Sequence, residues 1–390
     1  MKRLLSHLVA RVKESWNRPT SRPQRFTQLK LEGLEDRLVP STTEYVNPAA
    51  LFNFNNVYGD FWSAYNAAQP GDTIQLEPGA TIAGGTINKP GLTIRGDPGY
   101  SANNYTVTGN VEVTQNGFLT NFKNLDFGQN TLTLDANADV VGVEYSLVGQ
   151  INSYANDALI YGNTVQGMLT FHSLGGNGGG NNVSGNTFVG IDAQVSMENG
   201  INDAVNNNTF QVTSNTDIFL ADEQGAVVAN NQIYNTGDAP DPYGIVVSND
   251  QNGQGTNVQI VGNVIQTGNL GVGLVTYNST ESTSMNVWVQ GNNFGGNAIG
   301  VLIVGDGISP GNINLGVYGN PGGNDFSDYQ GGDGRLAIAV VDPADTIVWA
   351  QNNTWGTNPG DVVKDSTFNT CQQIAPSSVA NQIGTGDILF

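Results

Sequence analysis

The feature that most constrains this chain is a short motif, Gly/Asn-Asn-x-apolar, which returns eight times between residues 162 and 355. The Asn at its second position recurs with spacings of 23, 22, 23, 32, 29, 32 and 29 residues. A near-constant unit with later insertions is typical of a solenoid, in which each unit packs only on its neighbours. The second-position residues are Asn163, Asn186, Asn208, Asn231, Asn263, Asn292, Asn324 and Asn353.

Each unit reads as three short strands, for example residues 217–220, 226–229 and 232–234, and the 51 Gly in 390 residues disfavour a helical hairpin. The residues three before the repeat Asn are apolar, those five before it are mostly apolar, and those between are mixed. This alternation predicts strands with one face in a core. The repeat Asn itself fits a turn, where it tolerates left-handed backbone and its amide can bond to adjacent coils. The expected inward residues are Ile160, Val183, Val205, Val228, Ile260, Val289 and Ala350.

The two ends of a solenoid expose strand edges that must be covered. Asp60 is placed to N-cap a short helix, whose apolar side chains would plug the first coil. Residues 358–390 are expected to cover the other end. The plugging residues are Phe61, Trp62, Tyr65 and Ala68.

The first forty residues form a separate basic module. They hold nine Lys/Arg against four acids, whereas residues 41–390 carry a formal charge of −25. Residues 2–16 have the apolar spacing of a basic amphipathic helix. Residues 31–41, Leu-Glu-Gly-Leu-Glu-Asp-Arg-Leu-Val-Pro-Ser, resemble the N-terminal sorting segment of bacterial extracellular and surface proteins, L-E-x-L-E-D-R-x-x-P-S. The resemblance implies export to the cell surface or the extracellular space; the alternative is a disordered basic tail.

The body resembles the pectate-lyase-like superfamily. The matching stretches are residues 61–79, which include Pro-Gly-Asp-Thr-Ile, residues 87–96, and the closing Asn-Asn-Thr-Trp-Gly at 352–356. The resemblance implies an all-β, right-handed, single-stranded parallel β-helix of about ten to twelve coils with a short N-terminal capping helix. The expected boundaries are a leader over 1–43, a cap over 44–70, the β-helix over 71–357 and a C-terminal cap over 358–390.

An acidic column is the first candidate site. Aligning the middle strands on their first residues places acids at one position, six residues later, with one Tyr among them. Neighbouring coils lie about 4.8 Å apart, so such carboxylates repel by roughly 0.8 kcal/mol per pair even in water. The pattern indicates either Ca²⁺ between rungs, because hard cations prefer several oxygen ligands, or acids that simply begin the next turn. The residues are Glu198, Glu223, Asp250, Asp306 and Asp342, with Tyr277 at the same position.

Aromatic side chains are the second candidate site. Trp288 and Trp349 fall at the predicted outward position, two coils apart. Indoles about 10 Å apart can stack on the faces of a sugar chain. Alternatively, each is covered by an inserted loop such as residues 276–285. Together with Tyr277, they are the candidate carbohydrate-binding residues.

The sequence assigns no catalytic centre. Lyases of the resembling superfamily need a basic residue and a cation, yet the few basic residues after position 41 align at no shared repeat position. His172 is predicted to be a surface or structural residue, and hydrolysis by two carboxylates stays open because the chain offers many acids. The candidate bases are Lys89, Arg95, Lys123, Arg335, Lys364 and His172.

The sequence therefore predicts an exported, monomeric surface or matrix-associated protein that binds polysaccharide, with no certain cofactor except a possible Ca²⁺. The alternatives are a carbohydrate-active enzyme, lyase or hydrolase, and a purely structural adhesin-like spacer. The acidic body disfavours nucleic acid as a partner, since it repels phosphates. The longest uncharged apolar run, residues 336–341, is far too short for the roughly 20 residues of a membrane helix.

Overall fold

A computed structural model describes most of the body of the chain. The described residues are 41–53, 55–173, 178–212, 215–235, 242–249, 255–280, 283–305, 311–316, 322–329, 335–341, 347–350, 352–356, 363–365 and 387–389.

The fold is an all-β parallel solenoid, as the repeat predicts. All pairs between the described strands are parallel, and they form three faces that the chain visits in a fixed order, face 1, face 3 and face 2. Face 1 is a sheet of fifteen strands. In sheet order they are Val57–Tyr58, Thr43–Val46, Thr73–Leu76, Thr93–Gly96, Asn121–Lys123, Gly142–Glu144, Leu159–Tyr161, Asn182–Ser184, Ala204–Asn206, Gln224–Ala229, Thr256–Val261, Met285–Gln290, Asn312–Asn314, Ile347–Trp349 and Asp387–Leu389.

Face 2 is a sheet of twelve strands, which lengthen toward the C-terminal half. They are Gly85–Ile87, Val111–Val113, Thr131–Leu134, Gln150–Ser153, Met168–His172, Gln194–Glu198, Thr216–Ala221, Tyr243–Asn249, Gly268–Asn278, Asn297–Gly305, Leu336–Val341 and Val363–Asp365.

Face 3 consists of a six-stranded sheet flanked by two two-stranded ones, and single bridges through Asp126 and Asn293 connect them. Its strands are Thr81–Ile82, Thr106–Val107, Leu147–Val148, Thr164–Val165, Thr187–Gly190, Thr209–Val212, Gln232–Tyr234, Val264–Gln266, Asp325–Phe326 and Thr354–Trp355.

The interior confirms the predicted alternation. The seven residues predicted to point inward from face 1 are all buried, at 2% exposure or less. The fourth residue of the motif fills the core from face 3, where Phe188 stacks on Phe210 with ring centroids 4.3 Å apart. Phe294, Phe326 and Trp355 form a second stack, with centroids 5.2 and 5.1 Å apart. Each side chain therefore packs on the same position of the next coil.

The repeat Asn residues form a continuous hydrogen-bonded ladder at the corner between face 1 and face 3. From Asn163 to Asn324, each side-chain Nδ2 donates to Oδ1 of the next Asn at 2.9 or 3.0 Å. Each backbone N–H donates to the same oxygen. Nδ2 also reaches a carbonyl of the preceding coil, such as Val205 O for Asn231. The ladder thus satisfies polar groups that the turn would otherwise bury unpaired.

The left-handed backbone lies one residue before the position the sequence suggested. The first residue of each motif has a positive φ, from 56° at Asn207 to 67° at Gly262, whereas the ladder Asn does not. The two roles expected of the second-position Asn, turning the chain and bonding to adjacent coils, therefore belong to two consecutive residues. The first residue turns the chain, which explains why it is Gly or Asn, and the second bonds between coils.

A helix, α1 (Phe61–Ala67), covers the N-terminal end as predicted. Oδ1 of Asp60 accepts a hydrogen bond from the Ser63 backbone N–H at 2.9 Å, which is an N-cap. Phe61, Ala64 and Tyr65 are buried, and Trp62 packs against the core.

The sheets extend past both predicted ends of the solenoid. Thr43–Val46 already pairs in parallel with Thr73–Leu76, inside the stretch predicted as a cap. At the other end, Val363–Asp365 extends face 2 and Asp387–Leu389 extends face 1. Within the described part of the chain, no helix is long and apolar enough to span a membrane.

Candidate functional site

One outward row crosses face 2 at the ends of its first six strands. Each member directly follows the last inward-pointing residue of its strand, and these inward residues are in register with one another. Because the strands are parallel and in register, these side chains are neighbours from rung to rung, about 4.8 Å apart. This groove row consists of Asn88, Thr114, Asp135, Tyr154, His172 and Glu198.

A groove of about 700 Å³ opens along the first four rungs of the groove row. A short 3-10 turn, Gln115–Gly117, follows the strand Val111–Val113 and forms one wall. The turn after the strand Thr131–Leu134 adds residues 135–137. The lining residues are Asn88, Thr114, Gln115, Asn116, Asp135, Ala136, Asn137 and Tyr154.

Most polar side chains of the groove are free to bind a ligand. Gln115, Asn116, Asp135 and Asn137 make no side-chain hydrogen bond with any described residue. Asn88 is already used, since its Oδ1 accepts from the Tyr65 hydroxyl at 2.7 Å. The groove therefore offers three free amides and one free carboxylate next to the half-buried ring of Tyr154.

His172 is held between an aromatic ring and a carboxylate where the groove row continues. Its ring stacks on Tyr154, with centroids 5.2 Å apart and planes at 22°. Its Nδ1 lies 3.0 Å from Oε2 of Glu198. Both side chains keep about a third of their surface exposed, 31% for His172 and 35% for Glu198. A carboxylate at Nδ1 fixes the ring orientation and leaves Nε2 as the atom available to a ligand. His172 is thus a surface residue, as predicted, with partners the sequence did not reveal.

Asp135 is the one ionisable carboxyl among the lining residues of the groove. Burial raises the pKa of the Asp135 carboxyl, and the negative charge of nearby Glu112 raises it further. Glu112 is exposed on the strand Val111–Val113, where its Oε2 accepts from the Thr86 hydroxyl.

The register corrects the predicted acidic column. Glu198 pairs with Ala221, and the row continues through Ser248 to Tyr277, so Glu223 is not a neighbour of Glu198. Strands of unequal length make a fixed offset of six residues drift out of register. The other predicted calcium ligands, Asp250, Asp306 and Asp342, lie outside the described residues. In the described ranges, no three His, Cys, Asp or Glu side chains are grouped to hold a metal ion.

Glu223 lies inside the solenoid rather than on its surface. It is 0% exposed, and its Oε1 accepts from the Gly200 N–H at 2.8 Å. Its neighbour Asp203 is 1% exposed and accepts from the backbone and side-chain amides of Asn181 at 2.8 and 3.2 Å. Burial raises the pKa of Asp203 to about 6. Burial, together with the charge of Asp203, raises the pKa of Glu223 to about 9. Both shifts favour the protonated form of a carboxyl in this buried pair.

The structure places Trp288 and Trp349 in one row of face 1, separated by a single rung. Trp288 pairs with Asn314, which pairs with Trp349. Trp288 is 40% exposed, while the Asn314 side chain between them is only 6% exposed. Tyr277 belongs to face 2, in the same row as Glu198. The three aromatic candidates therefore do not share one surface.

Two basic residues do share a repeat position, contrary to the sequence alignment. Arg95 pairs with Lys123, and Lys123 pairs with Glu144 on face 1. Lys123 Nζ lies 2.9 Å from Glu144 Oε1, and Arg95 donates to Gln75 at 2.9 Å. These contacts stabilise the outer surface of the sheet and lie on a different face from the groove.

Sequence reasoning missed the groove row, although a signal for it exists. The pattern apolar-x-apolar-polar ends four consecutive strands of face 2, in residues 132–135, 151–154, 169–172 and 195–198. Ser153 takes an inward apolar position in this series and is fully buried. Alignment on strand ends, instead of strand starts, brings the four polar residues together.

No family model matches the chain, and a search of curated proteins finds no match.

Proposed function

We propose that this protein is an exported, surface or matrix-associated solenoid that binds a polysaccharide chain along the groove row of face 2. The observation that carries the proposal is the groove itself, in which free amides and a carboxylate adjoin the ring of Tyr154. Sugar rings present hydroxyls on their edges and C–H groups on their faces. Amides that donate and accept, beside an aromatic ring, match both surfaces.

The direction of the groove row also favours a linear polymer. The row runs from rung to rung, and Tyr154, His172 and Glu198 continue it beyond the groove. A chain lying parallel to the stacking direction meets one side chain every 4.8 Å or so. A small ligand would use only the first four rungs.

Export from the cell and the relationship to a family are part of the same proposal. Export is supported by the segment Leu31–Ser41 and by the change from a basic leader to a body of charge −25. Membership of the pectate-lyase-like superfamily is supported by three parallel faces, by the Asn ladder and by the closing Asn-Asn-Thr-Trp-Gly.

The test is a binding screen with soluble polysaccharides, followed by titration of the best ligand into two Tyr variants. Tyr154→Ala removes the aromatic wall of the groove and should weaken binding about two- to tenfold, the range for one aromatic contact. Tyr100→Ala is the matched control, because Tyr100 is 53% exposed and lies outside the groove lining. Equal affinity of Tyr154→Ala and the parent protein would exclude the groove as the binding site. Failure of every polysaccharide to bind would favour the spacer.

Cleavage of the bound glycan is a second candidate function, favoured by the His172–Glu198 contact at 3.0 Å. A carboxylate-oriented imidazole beside a substrate groove is suited to proton transfer. Release of new reducing ends by the parent protein, lost in His172→Ala, would establish the enzyme. Binding with no new reducing ends would establish a binding protein.

A further inference from the structure

The groove carries a negative charge that nothing in the described chain neutralises. Asp135 lines it, and its carboxylate forms no hydrogen bond or ion pair with a described residue. Glu112 lies near Asp135, and Glu198 is three rungs from Asp135 along the groove row. A solvent-accessible carboxylate with no protein partner is available to pair with a ligand group of opposite charge.

Four basic residues whose side chains the structure describes, Lys89, Arg95, Lys123 and Arg335, are held elsewhere. Lys89 follows Asn88 in sequence, but its Nζ donates to three carbonyls at the end of α1, those of Tyr65, Asn66 and Ala68, at 2.6–3.0 Å. Arg95 and Lys123 are bound on face 1. Arg335 donates to the Asp328 carbonyl and lies over the Tyr329 ring. None of the four lines the groove.

We propose that the groove selects an amine-bearing glycan, of the class of glucosamine polymers, whose ammonium groups bind Asp135. The inference rests on the proposed function, because it names the substrate class of the same groove. An ammonium beside Asp135 gains a charge-assisted hydrogen bond, while the free amides hold the sugar hydroxyls. A uronate polymer would place carboxylates against Asp135 and close to Glu112, and the groove lining has no basic side chain to offset the repulsion.

The experiment compares three oligosaccharides of equal length by calorimetry at low salt and a pH at which the sugar amine is protonated. They are built from glucosamine, N-acetylglucosamine and galacturonic acid. The glucosamine chain should bind about fivefold more tightly than its acetylated form, which is the upper end for a solvent-accessible ion pair. Added salt should reduce that preference. The galacturonate chain should bind most weakly.

Asp135→Asn keeps the shape of the side chain and removes its charge. This variant should reduce binding of the glucosamine chain to the level of the acetylated chain, with the acetylated chain unaffected. Asp192→Asn is the control, because Asp192 is exposed and does not line the groove. It should leave both affinities unchanged.

The possible outcomes distinguish failure of the amine selectivity from failure of the proposed glycan binding. Equal affinity for the three oligosaccharides, each weakened by Tyr154→Ala, would overturn the inference and keep the groove as a glycan site. Tightest binding of the galacturonate chain would do the same. Binding that neither Tyr154→Ala nor Asp135→Asn alters would overturn both.

Discussion

Nδ1 of His172 lies 3.0 Å from Oε2 of Glu198, and the His172 ring stacks on Tyr154 in the rung before it. This chain of contacts fixes the ring that borders the groove. Because both side chains remain about a third exposed, the contact contributes little to the free energy of folding.

His172→Ala should therefore change the free energy of unfolding by less than about 1 kcal/mol. It should nevertheless weaken glycan binding, because the ring of Tyr154 loses the neighbour that orients it. Thermal denaturation and calorimetric titration of the same preparation measure the two effects. A strongly destabilised His172→Ala protein, or one with parental affinity, would contradict this interpretation of the contact.

The Asn ladder should be a major source of stability. In Asn231→Ala, Nδ2 bonds to Val205 O and Asn263 Oδ1 disappear, and the backbone and side-chain amides of Asn208 lose their acceptor. Leaving a buried donor unsatisfied costs about 1–3 kcal/mol, so the two donors of Asn208 give an expected loss of about 2–6 kcal/mol.

The adjacent residue provides the control for this prediction. Gln232 is the exposed first residue of the strand Gln232–Tyr234, and Gln232→Ala should alter stability by less than about 0.5 kcal/mol. Urea unfolding followed by circular dichroism gives both values. Similar losses in the two variants would mean that the ladder bonds contribute no more than a surface side chain.

Stability should fall as pH rises, because of the buried pair. The pKa of Glu223 is about 9 in the folded chain against an ordinary value of 4.5, so folding favours its protonated form. The stabilising contribution is complete below pH 4.5 and is lost progressively as pH rises through about 9. Asp203, with a pKa of about 6 against 3.8, acts in the same direction at lower pH.

Glu223→Gln should flatten this dependence. An amide keeps an acceptor for the Gly200 N–H and supplies a permanent donor toward Asp203. The melting temperature of the variant should exceed that of the parent protein at pH 9 and approach it at pH 5. Glu198→Gln, which changes an exposed carboxylate, should leave the pH profile parallel to that of the parent. A parallel profile for Glu223→Gln as well would show that Glu223 is not the titrating group.

Trp288 tests whether face 1 also binds glycan. Its ring is 40% exposed, so the Trp288→Ala variant should unfold at nearly the parental temperature. If the groove is the binding site, Trp288→Ala and the double variant Trp288→Ala/Trp349→Ala should keep parental affinity. Loss of affinity in these variants, with Tyr154→Ala unaffected, would move the site to face 1.

The fold was predictable because each coil places the same kinds of residue at the same positions. Val205, Val228 and Ile260 occupy equivalent core positions, so their spacing alone identifies strand, face and coil. The Asn ladder was predictable for the same reason. The sequence did not predict which motif residue turns the chain and which bonds between coils. Gly and Asn both fit a left-handed turn, and only coordinates show which residue adopts it.

The site was less predictable because it depends on register between strands of different lengths. Glu198 and Glu223 look equivalent when strands are aligned on their first residues, yet one is exposed beside His172 and the other is buried beside Asp203. A two-residue error in the alignment of two strands therefore assigns a side chain to the wrong row. The row could therefore be found only by alignment on strand ends, and strand lengths that are unknown from the sequence decide which alignment is right.

A crystal structure of the protein with a bound glucosamine oligosaccharide would locate the glycan site. We expect sugar density along face 2, with one ring against Tyr154 and an amine within hydrogen-bond distance of Asp135. Density on face 1 beside Trp288, with the groove of face 2 free of sugar, would contradict this expectation.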